Sequence, residues 1–181
     1  MRSRRVIRGL VIVALALGLS GSSLADSVFL KLGDIKGEST AVGHEGEIEI
    51  LSWSWGASNP VTIGTTSGGL SAGRVAIADL SLMKLLDSAT PKLFELVTRG
   101  THTPKAVLIV RKEGDRPFDY LRITLEDVLV SSLQVSGATE RPSESVSLSF
   151  AKVLVEYRSQ SSSGSGSTWI PASWDLTKVA P

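Results

Sequence analysis

The residues that could carry out chemistry are few in this chain. Its 181 residues include no cysteine and two histidines, His44 and His102, both in predicted loops. Glu45, Glu47 and Glu49 lie near His44, but a His-x-x-Glu spacing supplies two ligands and zinc needs more. No Gly-x-Ser-x-Gly motif lies at a strand-to-helix turn, where it would expose a nucleophilic serine. We therefore expect no metal, no cofactor and no catalytic residue.

Glu126 and Asp127 form the one adjacent pair of acids inside a predicted strand. Neighbouring residues of a strand point to opposite faces, so these carboxylates cannot share a proton as a catalytic dyad does. We interpret the pair as the mark of a bend that makes a surface or subunit contact.

The segment 120–157 has the pattern of long β-strands. Apolar and polar residues alternate with period two, which indicates strands with one buried face. The alternation breaks at Glu126 and Asp127, and it slips by one residue between Ala151 and Lys152. We interpret the slip as a β-bulge, because bulges bend strands and let a sheet curl. The segment therefore predicts three long antiparallel strands that bend into a barrel.

Shorter strands are predicted at 28–32, 47–55, 74–86 and 106–112. One helix is expected to be capped by Thr90, to have Pro91 at its first position and to end at Gly100. Its apolar stripe is Leu93, Leu96 and Val97. The predicted fold class is mainly β: a bent antiparallel β-barrel of two sheets with one short flanking α-helix.

Two pairs of tryptophans stand out. Trp53 and Trp55 are two residues apart in a predicted strand, so both indoles lie on one face. Core packing is one interpretation, and an inter-subunit or ligand contact is the other. Near the C-terminus we expect Trp169 or Trp174 to dock, because a purely solvated tail would need neither.

The segment 57–73 is long and polar, yet it contains apolar residues that a simple linker would lack. Loops of this length are usually functional or disordered. A flexible arm that orders on a partner and a plain mobile hairpin are both compatible with this composition. The apolar residues are Val61, Ile63 and Leu70.

The first 25 residues have the pattern of a cleaved signal peptide. Four arginines precede an apolar run at 10–19, and small residues lead up to Ala25. The run is shorter than a membrane-spanning helix needs, so an uncleaved anchor is the less favoured alternative. The Ser-Arg-Arg at 3–5 also partly resembles a twin-arginine signal. Localisation is then secreted or periplasmic.

Cleavage would leave a mildly acidic mature chain. Of 19 basic residues about 15 would remain against 18 acidic ones, a net charge of about −3. The mature protein therefore has no basic surface that indicates nucleic acid or a membrane. We divide the chain into a signal peptide at 1–25, a barrel domain at 26–158, a Ser/Gly-rich linker at 159–168 and a tail at 169–181.

Four ordered blocks resemble the Hcp (haemolysin-coregulated protein) family, the tube protein of bacterial type VI secretion systems. They are HEGEIEILSWSWG at 44–56, TPKLFELVTRGTHTP at 90–104, YLRITLEDVLVSS at 120–132 and RPSESVSLSFAKVLVEY at 141–157. The resemblance implies a barrel that assembles into hexameric rings, which stack into a tube and carry small effector proteins in the lumen. It implies that the long loop, with Asn59, Val61, Ile63, Thr65 and Leu70, reaches the neighbouring ring.

Three hypotheses follow. The first is a non-catalytic, ring-forming tube subunit or secreted effector carrier, with Trp53, Trp55, Glu126, Asp127 and Trp174 as contact residues. The second is an exported binding module that holds an envelope glycan or protein partner through its tryptophans. The third, an exported hydrolase, depends only on the abundant serines. Family members are made in the cytoplasm and then secreted by the machine, so an export signal is a departure.

Overall fold

The computed structural model describes residues 25–63, 70–137, 141–161 and 166–178. The predicted signal peptide lies outside them up to residue 24, as do Thr65 and the middle of the predicted linker. One helix, α1 at Thr90–Arg99, accompanies twelve strands in the described part of the chain. These are β1 Ser27–Leu32, β2 Ile48–Ile50, β3 Ser52–Ser54, β4 Ala57–Ser58, β5 Val61–Ile63, β6 Leu70–Ala72, β7 Ala76–Ile77, β8 Leu80–Leu85, β9 Thr103–Lys112, β10 Phe118–Ser136, β11 Ser143–Tyr157 and β12 Ile170–Asp175.

The main sheet curls until its two ends meet. Its strand order is β2-β1-β9-β10-β11-β8-β3, with β12 added on β11. The predicted strand 47–55 is thus two strands, one at each end of the order. Leu51 lies between them, and its N–H donates to the carbonyl of Met83 in β8 at 2.7 Å. The predicted class, a mainly β bent barrel with one helix, is confirmed as a nearly closed sheet with small additional sheets.

The bulges that bend the sheet lie in β10, so the predicted position in β11 is wrong. Asp119 pairs with Arg111 and Leu121 with Val110, which leaves Tyr120 as an extra residue against β9. A second register shift, at Ser131, faces β11. The pairing of β11 with β10 continues without a shift between Ala151 and Lys152. The buried row of β10 moves by one residue at the same height, so the two strands stay in register.

The segment 120–157 contains two long strands and not three. Asp127, at the break in the alternation, has a φ of 53°. This left-handed conformation is one that aspartate tolerates better than most residues, and it turns β10 without ending it. The third long strand of the barrel wall is β9.

The core is formed by the residues of each strand that face the inside of the barrel. In β11 the predicted alternation is confirmed: Val146, Leu148 and Phe150 are each at most 9% exposed. Helix α1 packs against β10 and buries Leu93, with Leu96 and Val97 partly buried beside it.

The ends of the helix follow the sequence in part. Gly100 ends it with a φ of 60°, as predicted. The predicted cap at Thr90 is wrong, because the N-cap residue is Ala89 and makes no side-chain hydrogen bond. Asp87 provides the side-chain hydrogen bond at the start of the helix, because its carboxylate accepts the N–H of Ala89 at 2.9 Å. No helix in the described ranges is both long and apolar enough to cross a bilayer.

Within the segment 57–73, the described strands β5 and β6 pair with each other. Val61 pairs with Ala72 and Ile63 with Leu70. At its base β4 pairs with β7, through Ala57 and Ile77. The arm is therefore a β-hairpin in backbone terms, built from strands separate from the main sheet.

Candidate functional site

His44 is buried against the end of the barrel in a ring of charged groups. Its ring stacks on Phe29 with centroids 4.4 Å apart and is 4% exposed. Nδ1 lies 2.8 Å from Glu47 Oε2, and Nε2 lies 3.4 Å from Asp119 Oδ2. Arg111 Nε donates to the other oxygen of Asp119 at 2.6 Å. Within the described ranges no three acids or histidines are grouped so that they could hold a metal.

The pKa of Asp119 lies below its ordinary value. Burial by itself raises this pKa, but the hydrogen bond and charge of Arg111 and the nearby His44 ring outweigh burial. Asp119 is thus an anion that holds two elements: the loop that contains His44 and the strand that contains Arg111.

Glu126 and Asp127 face different partners, as their spacing predicts. Lys152 Nζ lies 3.4 Å from Glu126 Oε2 across the strand pair. Asp127 Oδ1 lies 2.7 Å from His102 Nδ1, and both side chains are more than half exposed. The structure thus separates the two carboxylates: Glu126 forms a surface ion pair with Lys152, and Asp127 forms a surface hydrogen bond with His102.

Trp53 and Trp55 both pack against the core and both keep part of their surface exposed. The core-packing interpretation therefore accounts for one side of each indole. The indole N–H of Trp55 is buried without a hydrogen-bond partner among the described residues. The exposed part of each ring leaves the predicted contact role as a proposal.

Four of the five predicted arm residues lie on or beside the β5–β6 hairpin. Asn59 is exposed, and Val61 is 57% exposed. Ile63 and Leu70 are paired with each other across the arm. Thr65 lies outside the described residues.

The tail docks, as its tryptophans predict, and it does so as a strand. Residues of β12 pair with β11 from Tyr157 and Ile170 to Lys152 and Asp175. Two guanidinium groups lie close to the Trp169 ring, those of Arg122 at 4.5 Å and Arg158 at 4.4 Å.

The sheet edge formed by β12 carries a row of exposed apolar residues, and of these only Trp174 was predicted from the sequence as a contact residue. Its members are Tyr157, Ile170, Trp174 and Leu176, at 49%, 67%, 40% and 36% exposure. The signal was present, since Ile170 and Trp174 alternate with polar or small residues like any strand. Because a Ser/Gly-rich segment precedes these residues, they were predicted to form a tail separate from the barrel.

A buried ion pair was also missed. Lys84 and Glu144 lie at inward positions of β8 and β11, opposite each other in register. Both are at most 1% exposed, and Lys84 Nζ donates to Glu144 Oε2 at 2.8 Å. The sequence did indicate it: in each strand a charged residue takes a position at which the alternation predicts a buried apolar one.

The described residues define a class of protein: a small, nearly closed β-barrel with one helix, a hairpin separate from the main sheet, and exposed apolar groups along a strand edge. The chain belongs to the family described as "Type VI secretion system effector, Hcp", which matches residues 29–157. The resemblance seen in the four sequence blocks is confirmed.

Three relatives each cover between 78% and 85% of this chain. Protein hcp1 of Pseudomonas aeruginosa is 43% identical over 144 residues, which are 78% of this chain and 88% of that protein. A solved structure of a type six secretion system protein is similar with a TM-score of 0.80 and 32% identity, covering 84% of this chain and 97% of that one. Hcp1 from Salmonella typhimurium is similar with a TM-score of 0.67 and 32% identity, covering 85% and 96%.

Proposed function

We propose that this chain is a structural, non-catalytic subunit of a type VI secretion tube, that six copies form a ring, and that the ring carries small effector proteins in its lumen. The observation that carries the proposal is the uncovered apolar edge on β12. Membership of the Hcp family supports the same function.

The apolar edge continues the barrel's inner face. Residues directly opposite each other in antiparallel strands share a face. Leu125 pairs with Val153, and Val153 pairs with Trp174, so the inner face extends from β10 through β11 onto β12. Exposure rises along this row, from 1% at Leu125 and 4% at Val153 to 40% at Trp174.

A second copy of the chain is the occupant that fits this edge. Contiguous exposed apolar groups rimmed by polar residues mark protein contacts. Closed rings bury such groups repeatedly, because each copy presents the same edge to the next. Pro171 within β12 lacks an N–H, which disfavours open-ended strand pairing. Contact through side chains is therefore the expected mode.

The arm supplies the contact between rings. Asn59, Val61, Ile63 and Leu70 lie on or beside the β5–β6 hairpin, and Thr65 is proposed to take part in the same contact. An exposed valine at 57% on a hairpin outside the main sheet is suited to a partner surface. Trp53, Trp55, Glu126 and Asp127 are proposed as further subunit contacts.

The ring is tested by the mass of the particle in solution. Size-exclusion chromatography with light scattering should show the wild type as a six-chain species. Ile170→Glu, at a site 67% exposed, should give single chains with an unchanged circular dichroism spectrum. Phe94→Glu, on the helix at 61% exposure, is the matched control and should remain a ring. A monomeric wild type at tens of micromolar would reject the proposal.

An exported binding module is the alternative function, favoured by the partly exposed Trp53 and Trp174. It predicts that Trp53→Ala and Trp174→Ala abolish retention on envelope polysaccharide while the fold persists. Retention that is equal in wild type and both variants excludes it.

We also propose that residues 1–25 are removed on export, which places the mature protein outside the cytoplasm. N-terminal sequencing of the protein from fractionated cells tests this. A mature chain that begins at Asp26 supports export, and an intact N-terminus in the cytosol supports the usual route of the family.

A further inference from the structure

We propose that the leader, residues 1–25, covers the exposed apolar row along β12 until it is removed, so that the unprocessed chain stays single and only the processed chain closes into a ring. The row consists of Tyr157, Ile170, Trp174 and Leu176. This inference rests on the proposed function, because it takes the row as the subunit contact and the leader as a cleaved export signal.

The leader joins the barrel at a fixed point. Asp26, the first residue after the proposed cleavage site, directly precedes β1, and Ser27 in β1 pairs with Arg111 in β9. The carboxylate of Asp26 accepts the hydroxyl of Tyr120 at 2.7 Å. Tyr120 is the extra residue at the first bulge of β10. Asp26 is thus held from its side chain and from the strand that follows it, and the leader extends from that point.

A series of side-chain contacts leads from this point to the apolar row. The Tyr120 ring lies edge-on to the Tyr157 ring, with centroids 6.4 Å apart. Tyr157 belongs to the row, and it pairs in register with Ile170, whose exposure of 67% is the highest in the row. The leader therefore leaves the barrel at the end of the row where the apolar groups are most exposed.

The apolar part of the leader is close enough to lie along the row. At this end of the sheet β1, β9, β10, β11 and β12 are consecutive neighbours. Neighbouring strands are about 4.8 Å apart, so the starts of β1 and β12 are separated by roughly 19 Å. Residues 20–25 join the apolar run at 10–19 to Asp26, and they span up to about 20 Å when extended. The connection is therefore as long as the gap that it has to cross.

The leader also matches the row in its chemistry. Its run LVIVALALGL at 10–19 contains no charged or hydrogen-bonding side chain. Two apolar surfaces that are both exposed to water are driven together, because contact removes both from the solvent. The same row cannot contact the leader and a second copy of the chain at once. Covering by the leader and ring closure are therefore mutually exclusive.

Attachment decides which of the two occupies the row. A segment tethered by a short linker acts at an effective concentration of about 1 mM, well above that of free chains in a dilute solution. The leader therefore excludes a second copy for as long as it is attached. Cleavage after Ala25 makes Asp26 the first residue, and Asp26 is the residue that Tyr120 holds. Processing thus leaves no segment beside the row, and the row becomes available to the next subunit.

Light scattering on three chains tests the consequence for assembly. The full chain should be a single-chain species, and the chain that begins at Asp26 should be a six-chain species. The matched control keeps the length of the leader but removes its apolar character through Leu10→Ser, Ile12→Ser, Leu15→Ser and Leu17→Ser, and it should also form the six-chain species. A full chain that assembles like the processed one overturns the proposal. A single-chain control overturns it too, because the bulk of the leader and not its docking would then prevent assembly.

A disulfide test locates the leader directly, and the natural chain contains no cysteine to interfere. In the full chain, Leu15→Cys with Ile170→Cys should form an intrachain disulfide on mild oxidation, measured by peptide mass mapping. Leu15→Cys with Phe94→Cys is the control, because Phe94 is similarly exposed at 61% but lies on the helix. Equal yields from the two pairs overturn the proposal. If the chain that begins at Asp26 is itself monomeric, the proposed ring fails, and the disulfide yields still decide whether the leader covers the row.

Discussion

The ammonium of Lys84 lies 2.8 Å from the carboxylate of Glu144 where both side chains are almost completely removed from water. Lys84 also donates to Asp87 Oδ1 at 2.7 Å and to the carbonyl of Leu85 at 2.8 Å. All three N–H groups of the ammonium are thus satisfied. Asp87 in turn receives Ala89 N–H at the start of α1, so one buried cation joins β8, β11 and the helix.

Removing the ammonium should destabilise the barrel strongly. Lys84→Met keeps the length of the side chain but leaves the carboxylate of Glu144 buried without its cation. Breaking a buried ion pair from one side typically lowers the free energy of unfolding by about 3–5 kcal/mol. Urea unfolding followed by circular dichroism measures this loss.

The matched control is an exposed lysine. Lys92→Met breaks the pair of Lys92 with Glu95, whose side chains are 67% and 37% exposed. Exposed pairs contribute little to stability, because water and salt screen them. The double variant Lys84→Met with Glu144→Leu should recover part of the lost stability, because no buried charge remains at that position of β11. Equal effects of Lys84→Met and Lys92→Met would contradict the role given to the buried pair.

The sequence predicted the barrel because its strands alternate cleanly. In β11 every second residue from Val146 to Phe150 is buried, and such a pattern has one interpretation. The position of the bulges was not predictable in this way. A bulge is a mismatch between two strands, so it depends on register with β9 and β11, which no single strand encodes.

The clusters of charged residues around His44 and Lys84 could not be predicted from the sequence pattern, for a similar reason. His44 and Asp119 are 75 positions apart in the numbering and meet only because β1, β9 and β10 are neighbours. Lys84 and Glu144 were detectable in principle, since each breaks an apolar row. Their pairing required knowing that β8 lies beside β11, which is a property of the closed sheet.

Gly37 should not tolerate a methyl group. A Cβ there would collide with the carbonyl oxygen of Glu47 and lie 2.6 Å from the Cα of Ile48, and both are backbone atoms that cannot move aside cheaply. We expect Gly37→Ala to lower the free energy of unfolding by about 1–3 kcal/mol or more. Gly56→Ala is the control, because a Cβ at Gly56 meets nothing within 4 Å. Similar thermal midpoints for the two variants would show that the close approach at Gly37 is absent in solution.

Tyr120 should make the protein sensitive to alkali. Burial, followed by its hydrogen bond to Asp26 Oδ2 at 2.7 Å and the charge of that carboxylate, raises the pKa of Tyr120 to about 12. The folded state therefore favours the neutral phenol. The associated stability is present below about pH 10, the ordinary tyrosine pKa, and is lost as the pH rises toward 12.

Tyr120→Phe tests this assignment. Absorbance titration of the phenolate in the wild type should contain a component near pH 12, and the variant should lack it. The fall in unfolding free energy above pH 10 should also be shallower in Tyr120→Phe. Asp26→Asn should shift the component to lower pH, since it removes the nearby negative charge. A wild-type titration without the late component would contradict the buried contact.

Trp169 should hold the tail strand on the barrel. Its ring lies 4.5 Å from the guanidinium of Arg122 and 4.4 Å from that of Arg158, and Arg158 also lies 4.6 Å from the Phe118 ring. Each partly exposed cation–π contact contributes about 0.5–1 kcal/mol. Trp169→Ala removes two of them and should raise hydrogen exchange in β12 roughly tenfold, with β9 unchanged. Trp169→Phe keeps an aromatic face and should restore most of the protection. If alanine and phenylalanine variants exchange alike, pairing with β11 alone holds the tail and the cation–π contacts contribute nothing measurable.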